Sequence, residues 1–142
     1  MGKFVLKHPK LDINGTNLED HASSLTIETT YDEVEFTSFC SDFREFGQGM
    51  GDATWTIDFF QDFAAAEVDS VLWPLSQSGG TFLVKASAGS VAVSPTNPMY
   101  SMTARLFSYS PIAGAVGDAS TTTATLRNAG TLGLTRGTTG SV

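Results

Sequence analysis

The run DATWTIDFF (52–60) sets the tightest constraint on what this chain can fold into. Ala53, Trp55, Ile57 and Phe59 alternate with Asp52, Thr54, Thr56 and Asp58, and a period of two specifies a strand with one dry face. The run closes a longer stretch, 36–63, that holds eight of the fifteen aromatics: Phe36, Phe39, Phe43, Phe46, Trp55, Phe59, Phe60 and Phe63. EVEF (33–36) enters that stretch as a second strand. Between the two lies SFCSDFREFGQGMG (38–51), a loop too long and too aromatic for an ordinary hairpin turn. Phe39, Phe43 and Phe46, with Arg44 among them, sit between charges and glycines with nothing local to pack on. They point to a surface that meets a partner. The alternative is a loop folded over its own core.

Along the rest of the chain, KFVLK (3–7) and LDI (11–13) read as short strands around Pro9, and Asn14-Gly15 is a hairpin turn signal. NLEDHASS (17–24) reads as a turn, and SLTIETT (24–30) as a strand with Leu25 and Ile27 inward. QDFAAAEVDSVLWP (61–74) is the one helix, expected over about 62–73. Asp62 serves as its N-cap, and Phe63, Val68, Val71 and Leu72 share its buried stripe. Pro74 is expected to end it at Trp73. GTFLVKAS (80–87), MYSMTARLFSY (99–109) and TTTATLR (121–127) complete the strands. With seven or eight strands and one helix, the expected class is all-β: a β-sandwich or curved antiparallel sheets with one flanking helix. Residues 1–130 form a single domain, and 131–142, rich in glycine and threonine, a flexible tail or an arm that orders on binding.

Composition narrows the function. With 142 residues, 41% apolar and 16% charged, the chain can build a core, which excludes a disordered protein. No apolar run nears the roughly 18 residues that cross a bilayer. The basic start MGKFVLKHPK is too short in its apolar part for a signal peptide, and Leu6 stands where a myristoylation signal needs Ser or Thr. The single cysteine, Cys40, excludes an internal disulfide and fits a reducing compartment, so Asn14-Gly15-Thr16 is expected as a turn and not a glycan site. Residues 1–69 carry fourteen acids and four bases, net −10; residues 70–142 carry Asp118 against Lys85, Arg105, Arg127 and Arg136, net +3. So acidic a chain is a poor candidate for gripping nucleic acid.

Catalytic chemistry is thin. His8 and His21 have no partner at a metal-ligand spacing, so no metal or cofactor site is expected. Cys40 with His21 as nucleophile and base has no supporting motif. Gly47-Gln48-Gly49-Met50-Gly51 is followed by a strand and not by a helix N-terminus, so the logic of a phosphate loop fails. Asp58 lies on a strand's polar face and Asp62 reads as a cap, which argues against an acid–base pair. The chain reads as a non-enzyme.

The order of these elements carries a resemblance. GDATWTIDFFQDFAAAEVDSVLWPLSQSGGTFLVKAS (51–87), and NPMYSMTARLFSYSPIAGAVGDAS (97–120) followed by a Thr-rich strand, resemble the tail tube (major tail) proteins of long-tailed bacteriophages. The second passage includes Y-S-P followed by G-x-V-G-D. The resemblance covers roughly residues 10–130 and rests on the order of the motifs together. It implies a structural virion protein with a tail-tube-like fold, assembled in the host cytoplasm. Such a subunit closes into hexameric rings that stack into a tube for DNA ejection, with DNA only as passing cargo. Implied partners are further copies of the chain and the tail tip or baseplate, tape-measure and tail terminator proteins, with no membrane insertion. The loop 38–51 takes the place of the family's inter-ring loop, making Phe39, Phe43, Arg44 and Phe46 interface candidates. Tubes of type VI secretion are a related possibility.

Physical chemistry leads to a compatible picture. Ring closure removes open sheet edges, and contacts between unlike top and bottom faces give filaments. Strand readings put Glu28, Glu33, Glu35 and Asp58 on polar faces, as candidates to line the lumen. A negative wall would keep DNA from adhering, over about 8–10 Å at physiological salt. From other classes, the rivals are a non-enzymatic β-sandwich binding module presenting the aromatic loop to a carbohydrate or protein, and a small hydrolase using Asp58 or Cys40.

Overall fold

The computed structural model describes residues 3–142; Met1 and Gly2, the first residues of the basic start, lie outside it. Its elements are β1 (Lys10–Ile13), β2 (Thr16–Asn17), β3 (Ala22–Glu35), β4 (Phe46–Phe60), α1 (Val68–Ser78), β5 (Phe82–Ser87), β6 (Met99–Tyr109), β7 (Thr121–Asn128) and β8 (Thr135–Gly137). The Asn14-Gly15 turn follows its chemistry. Both residues have positive φ, 52° and 85°, as a two-residue hairpin turn requires, and Ile13 pairs with Thr16.

The strands form one antiparallel sheet in the order β2-β1-β5-β6-β7-β4-β3, with β8 on β6 beyond the end of β7. The sheet curls strongly. Leu25 and Ile27 of β3 share a cleft with Ala86 of β5 and Tyr100 of β6, although three strands separate β3 from β5 within the sheet. This is the curved-sheet form of the expected all-β class, with α1 packed on β6. The inner face gathers Leu11, Ile13, Trp55, Ile57, Phe59, Val84, Met102, Ala124 and Leu126, joined by Val68 and Leu72 from α1. At about 25 cal/mol per Å² of apolar area removed from water, burial of Trp55 and Phe59 is among the largest single contributions.

The helix starts six residues later than expected and runs through Pro74 to Ser78. Asp62 caps a turn and not the helix: its Oδ1 accepts from Ala64 N at 2.9 Å and its carbonyl from Asp69 N at 3.0 Å. Ala66 then takes a left-handed φ of 63°, which breaks helical geometry, and Glu67 stands at the N-cap without a side-chain bond. Pro74 removes one backbone donor, yet the helix continues for a turn. Ser76 Oγ bonds the Trp73 carbonyl at 2.7 Å, and Gly79, at φ 64°, supplies the left-handed C-cap. No helix among the described residues is long and apolar enough to cross a membrane.

Three further expectations differ. Residues 3–7 form no strand, because nothing among the described residues pairs with them. Residues 46–51 belong to β4, so the loop becomes 36–45. The C-terminal segment is neither a loose tail nor a free arm: β8 pairs Thr135, Arg136 and Gly137 with Ser101, Tyr100 and Met99, and Leu134 packs on the core.

Candidate functional site

Strands β3 and β4 pair from Ala22–Phe59 out to Glu35–Phe46, but β7 covers β4 only from Thr54 to Phe60. Beyond Ala53 the hairpin continues alone as a two-stranded arm, of a kind only marginally stable by itself. The arm exposes Tyr31, Val34, Phe36, Phe39, Phe43, Phe46 and Met50; Phe39 and Phe43 are 110% and 85% exposed. The loop is therefore not folded over its own core. Phe39, Phe43 and Arg44 lie in the loop at the arm's tip, whereas Phe46 opens β4 opposite Glu35.

Glycines shape the arm. The rings of Phe36 and Tyr31 lie across Gly47 and Gly51, where a Cβ on Gly51 would fall 2.8 Å from Tyr31 Cε1. Aromatic cover of strand glycines holds the hairpin where no second layer exists. The tip is closed by its own bonds: Phe36 N donates to the Glu45 carbonyl at 2.8 Å, and Glu45 N to Thr37 Oγ1 at 3.0 Å. Arg44 Nε lies 3.8 Å from Glu35 Oε1, an exposed pair worth little by itself.

The four carboxylates expected along one polar wall do not share a face. Glu28 and Asp58 point away from the core side of Leu25, Ile27 and Ile57. Glu33 and Glu35 lie on the same strand as Glu28, not on a separate one. The extra residue of the bulge near Asp32 belongs to β4, so alternation along β3 continues unbroken and places both on the opposite face. Asp58 Oδ1 also accepts from Thr123 Oγ1 at 2.6 Å.

The remaining chemical groups hold the body together. His21 Nδ1 lies 2.9 Å from Asp20 Oδ1 and 3.3 Å from Glu67 Oε2, and its Nε2 lies 3.0 Å from Asp62 Oδ2. The hydrogen bond to Asp20, aided by Asp62 and Glu67, raises the His21 pKa against the opposing effect of burial. The Ala64 amide and His21 lower that of Asp62. Asp20, His21 and Glu67 bring one ligand atom each within 4.8 Å of one another, a grouping with donors for a cation that local spacing could not reveal, since Glu67 comes from the start of α1. Tyr109 donates to Asp69 Oδ1 at 2.7 Å and accepts from Gln61 Nε2 at 2.9 Å; burial pushes its pKa up to about 12. Cys40 is exposed in the tip loop, and β3, about 45 Å of extended chain, separates that loop from His21. The two cannot act as nucleophile and base.

No family model matches the chain, and no curated protein sequence matches it. Solved structures do. A chain from the tail of an empty gene transfer agent particle, refined helically with C6 symmetry, superposes with a TM-score of 0.70 at 17% identity, covering 89% of this chain and 92% of that one. A chain from the virion of the native gene transfer agent particle gives 0.66 at 17% identity, covering 82% and 84%. At that identity the likeness is one of fold, and it spans nearly the whole chain.

Proposed function

We propose that this chain is a structural virion protein, a ring subunit that stacks into a tail tube through which DNA passes. The observation that carries the reading is the arm: two strands leave the sheet and present seven large apolar side chains to solvent. A monomer gains nothing from such a surface, whereas a partner that covers it gains most of its interface energy from the aromatics. The fold shared with a chain from a six-fold symmetric tail supports rings of six. The curled sheet supports closure, since β3 and β2 end the sheet with open edges that neighbouring copies can pair. In this assembly Phe39, Phe43, Arg44 and Phe46 meet the next ring, and Glu28 and Asp58 on the polar face line the bore. Glu33 and Glu35, on the arm's other face, belong to contacts between copies. Tail tip, tape-measure and terminator proteins are the partners at the tube's ends. No step of this function is enzymatic.

Sedimentation and negative-stain microscopy of the purified protein test it, with rings or tubes expected above a threshold concentration. A monomer at millimolar protein, even with tail tips added, overturns the reading. Saturable binding of a carbohydrate or protein through Phe39 and Phe43 by that monomer would establish the binding-module alternative. Glu28→Lys with Asp58→Lys tests the bore: tubes should form, and DNA ejection should slow most at low salt.

A further inference from the structure

We propose that residues 3–7 of one copy add as a strand to the open edge of β3 in another copy. The inference rests on the self-assembly reading and names a contact within it. Lys3-Phe4-Val5-Leu6-Lys7 has the composition of a strand but no strand partner. Phe4, Val5 and Leu6 are 69%, 68% and 53% exposed. Phe4 and Val5 open to water, with Leu6 only half covered beside its cleft, form half of an interface between two lysines. Pro9 limits that half, because it has no N–H to give to a ladder.

The other half is β3. It bonds β4 along one edge, and its other edge is unpaired among the described residues over fourteen positions. An open edge of that length is a template for strand addition, in which main-chain bonds supply affinity and side chains supply specificity. The charges match. Residues 3–10 carry Lys3, Lys7 and Lys10 and no acid; β3 carries Glu28, Asp32, Glu33 and Glu35 and no base. The apolar groups match as well, with Phe4, Val5 and Leu6 against exposed Tyr31 and Val34.

The donor must be a second copy. Within one chain, Leu6 and Pro9 line the cleft beside Leu25 and Ile27, at the near half of β3. From Leu6, Lys3 reaches at most about 10 Å further, whereas Glu33 lies six residues beyond Ile27, about 20 Å along the strand. The segment of the same chain therefore cannot cover the acidic half of the edge. A segment from another copy carries no such tether.

The test compares the full chain with Lys3→Glu/Lys7→Glu, with Glu33→Lys/Glu35→Lys, and with the four changes combined. Each is followed by sedimentation for assembly and by thermal melting for fold. The proposal expects wild-type assembly, a critical concentration raised about tenfold or more in each charge reversal, recovery in the combined variant, and melting of the unassembled protein unchanged throughout. In a Cys40→Ser background, mixing a Leu6→Cys chain with a Val34→Cys chain should give an intermolecular disulfide under oxidation. Reversal variants that assemble like wild type, no recovery in the combined variant, or no such disulfide would overturn strand addition while leaving the tube reading intact. Lowered melting of the unassembled Lys3→Glu/Lys7→Glu chain would also overturn it, by showing that the segment works inside its own copy. A wild-type chain that stays monomeric at every concentration overturns both readings.

Discussion

The two ends of β4 belong to one strand on one ladder, yet they meet opposite fates. From Ala53 to Phe59 the inward residues are all buried, because β7 extends the sheet beside them and the curled sheet and α1 close over them. From Phe46 to Gly51 no such layer exists, and the aromatics opposite are open to water. The difference is written in side-chain size: tryptophan, isoleucine and phenylalanine fill the inward positions of the first half, and Gly47, Gly49 and Gly51 thin the second. A pleated strand buries what another layer can cover. What stays exposed on the arm is available to another copy.

That contrast can be broken at Trp55 with the largest effect. Trp55→Ala should destabilise the unassembled protein by about 3–5 kcal/mol in urea titration, the usual loss for a large core aromatic. Phe43→Ser on the arm should change the same measurement by no more than about 0.5 kcal/mol. Equal losses would mean the arm is built into the core.

Assembly should reverse the ranking. Phe43→Ser with Phe46→Ser, or replacement of 40–50 by a Gly-Ser linker, should leave a folded domain that no longer stacks. The expected loss at the interface is about 2 kcal/mol or more for each aromatic, seen as a shift of the assembly threshold. Gly51→Ala sharpens the comparison at the border between the halves. Its Cβ would press on the Tyr31 ring, so the ring must move, at a cost of about 1 kcal/mol, with little change in the far-UV spectrum of the body.

The smallest effect belongs to pH and to the body alone. The folded-state pKa of His21 is raised above 6.5, so its contribution is fully present below pH 6.5 and is lost as pH rises through the higher folded value. Asp62 is shifted down from 3.8, so its contribution is present above pH 3.8 and is lost as pH falls through the lower folded value. Melting temperature should therefore fall on both sides of a plateau between about pH 4 and 6.5. His21→Gln should flatten the alkaline side, and Phe43→Ser should leave the profile unchanged.

What the chain discloses before folding follows the same division. The burial of 53–59, the Asn14-Gly15 turn and the limits of β6 were legible because each depends on local chemistry: alternation, positive φ, or a run bounded by turn residues. The start of α1 was not, because it depends on a left-handed Ala66 and on Asp62 turning its cap to Ala64. The faces of Glu33 and Glu35 were misplaced because their parity depends on which strand carries the bulge, which is a property of the pair. The pairing of β8 needed a vacant stretch of β6 thirty-four residues away. The arm's aromatics were legible as a surface, but Tyr31 and Met50 were overlooked. Alternate glycines facing aromatics were the signal for them.

Strand β4 runs unbroken from Phe46 near the arm's tip to Phe60 in the body, and this continuity has a mechanical meaning. A load applied along the arm pulls β4 lengthwise past β7, where seven register pairs, Thr54–Arg127 to Phe60–Thr121, lie across the line of force. Bonds perpendicular to the pull share it in shear and do not open in sequence like a zip. In the proposed tube, tension passed from ring to ring would be taken up across the whole ladder.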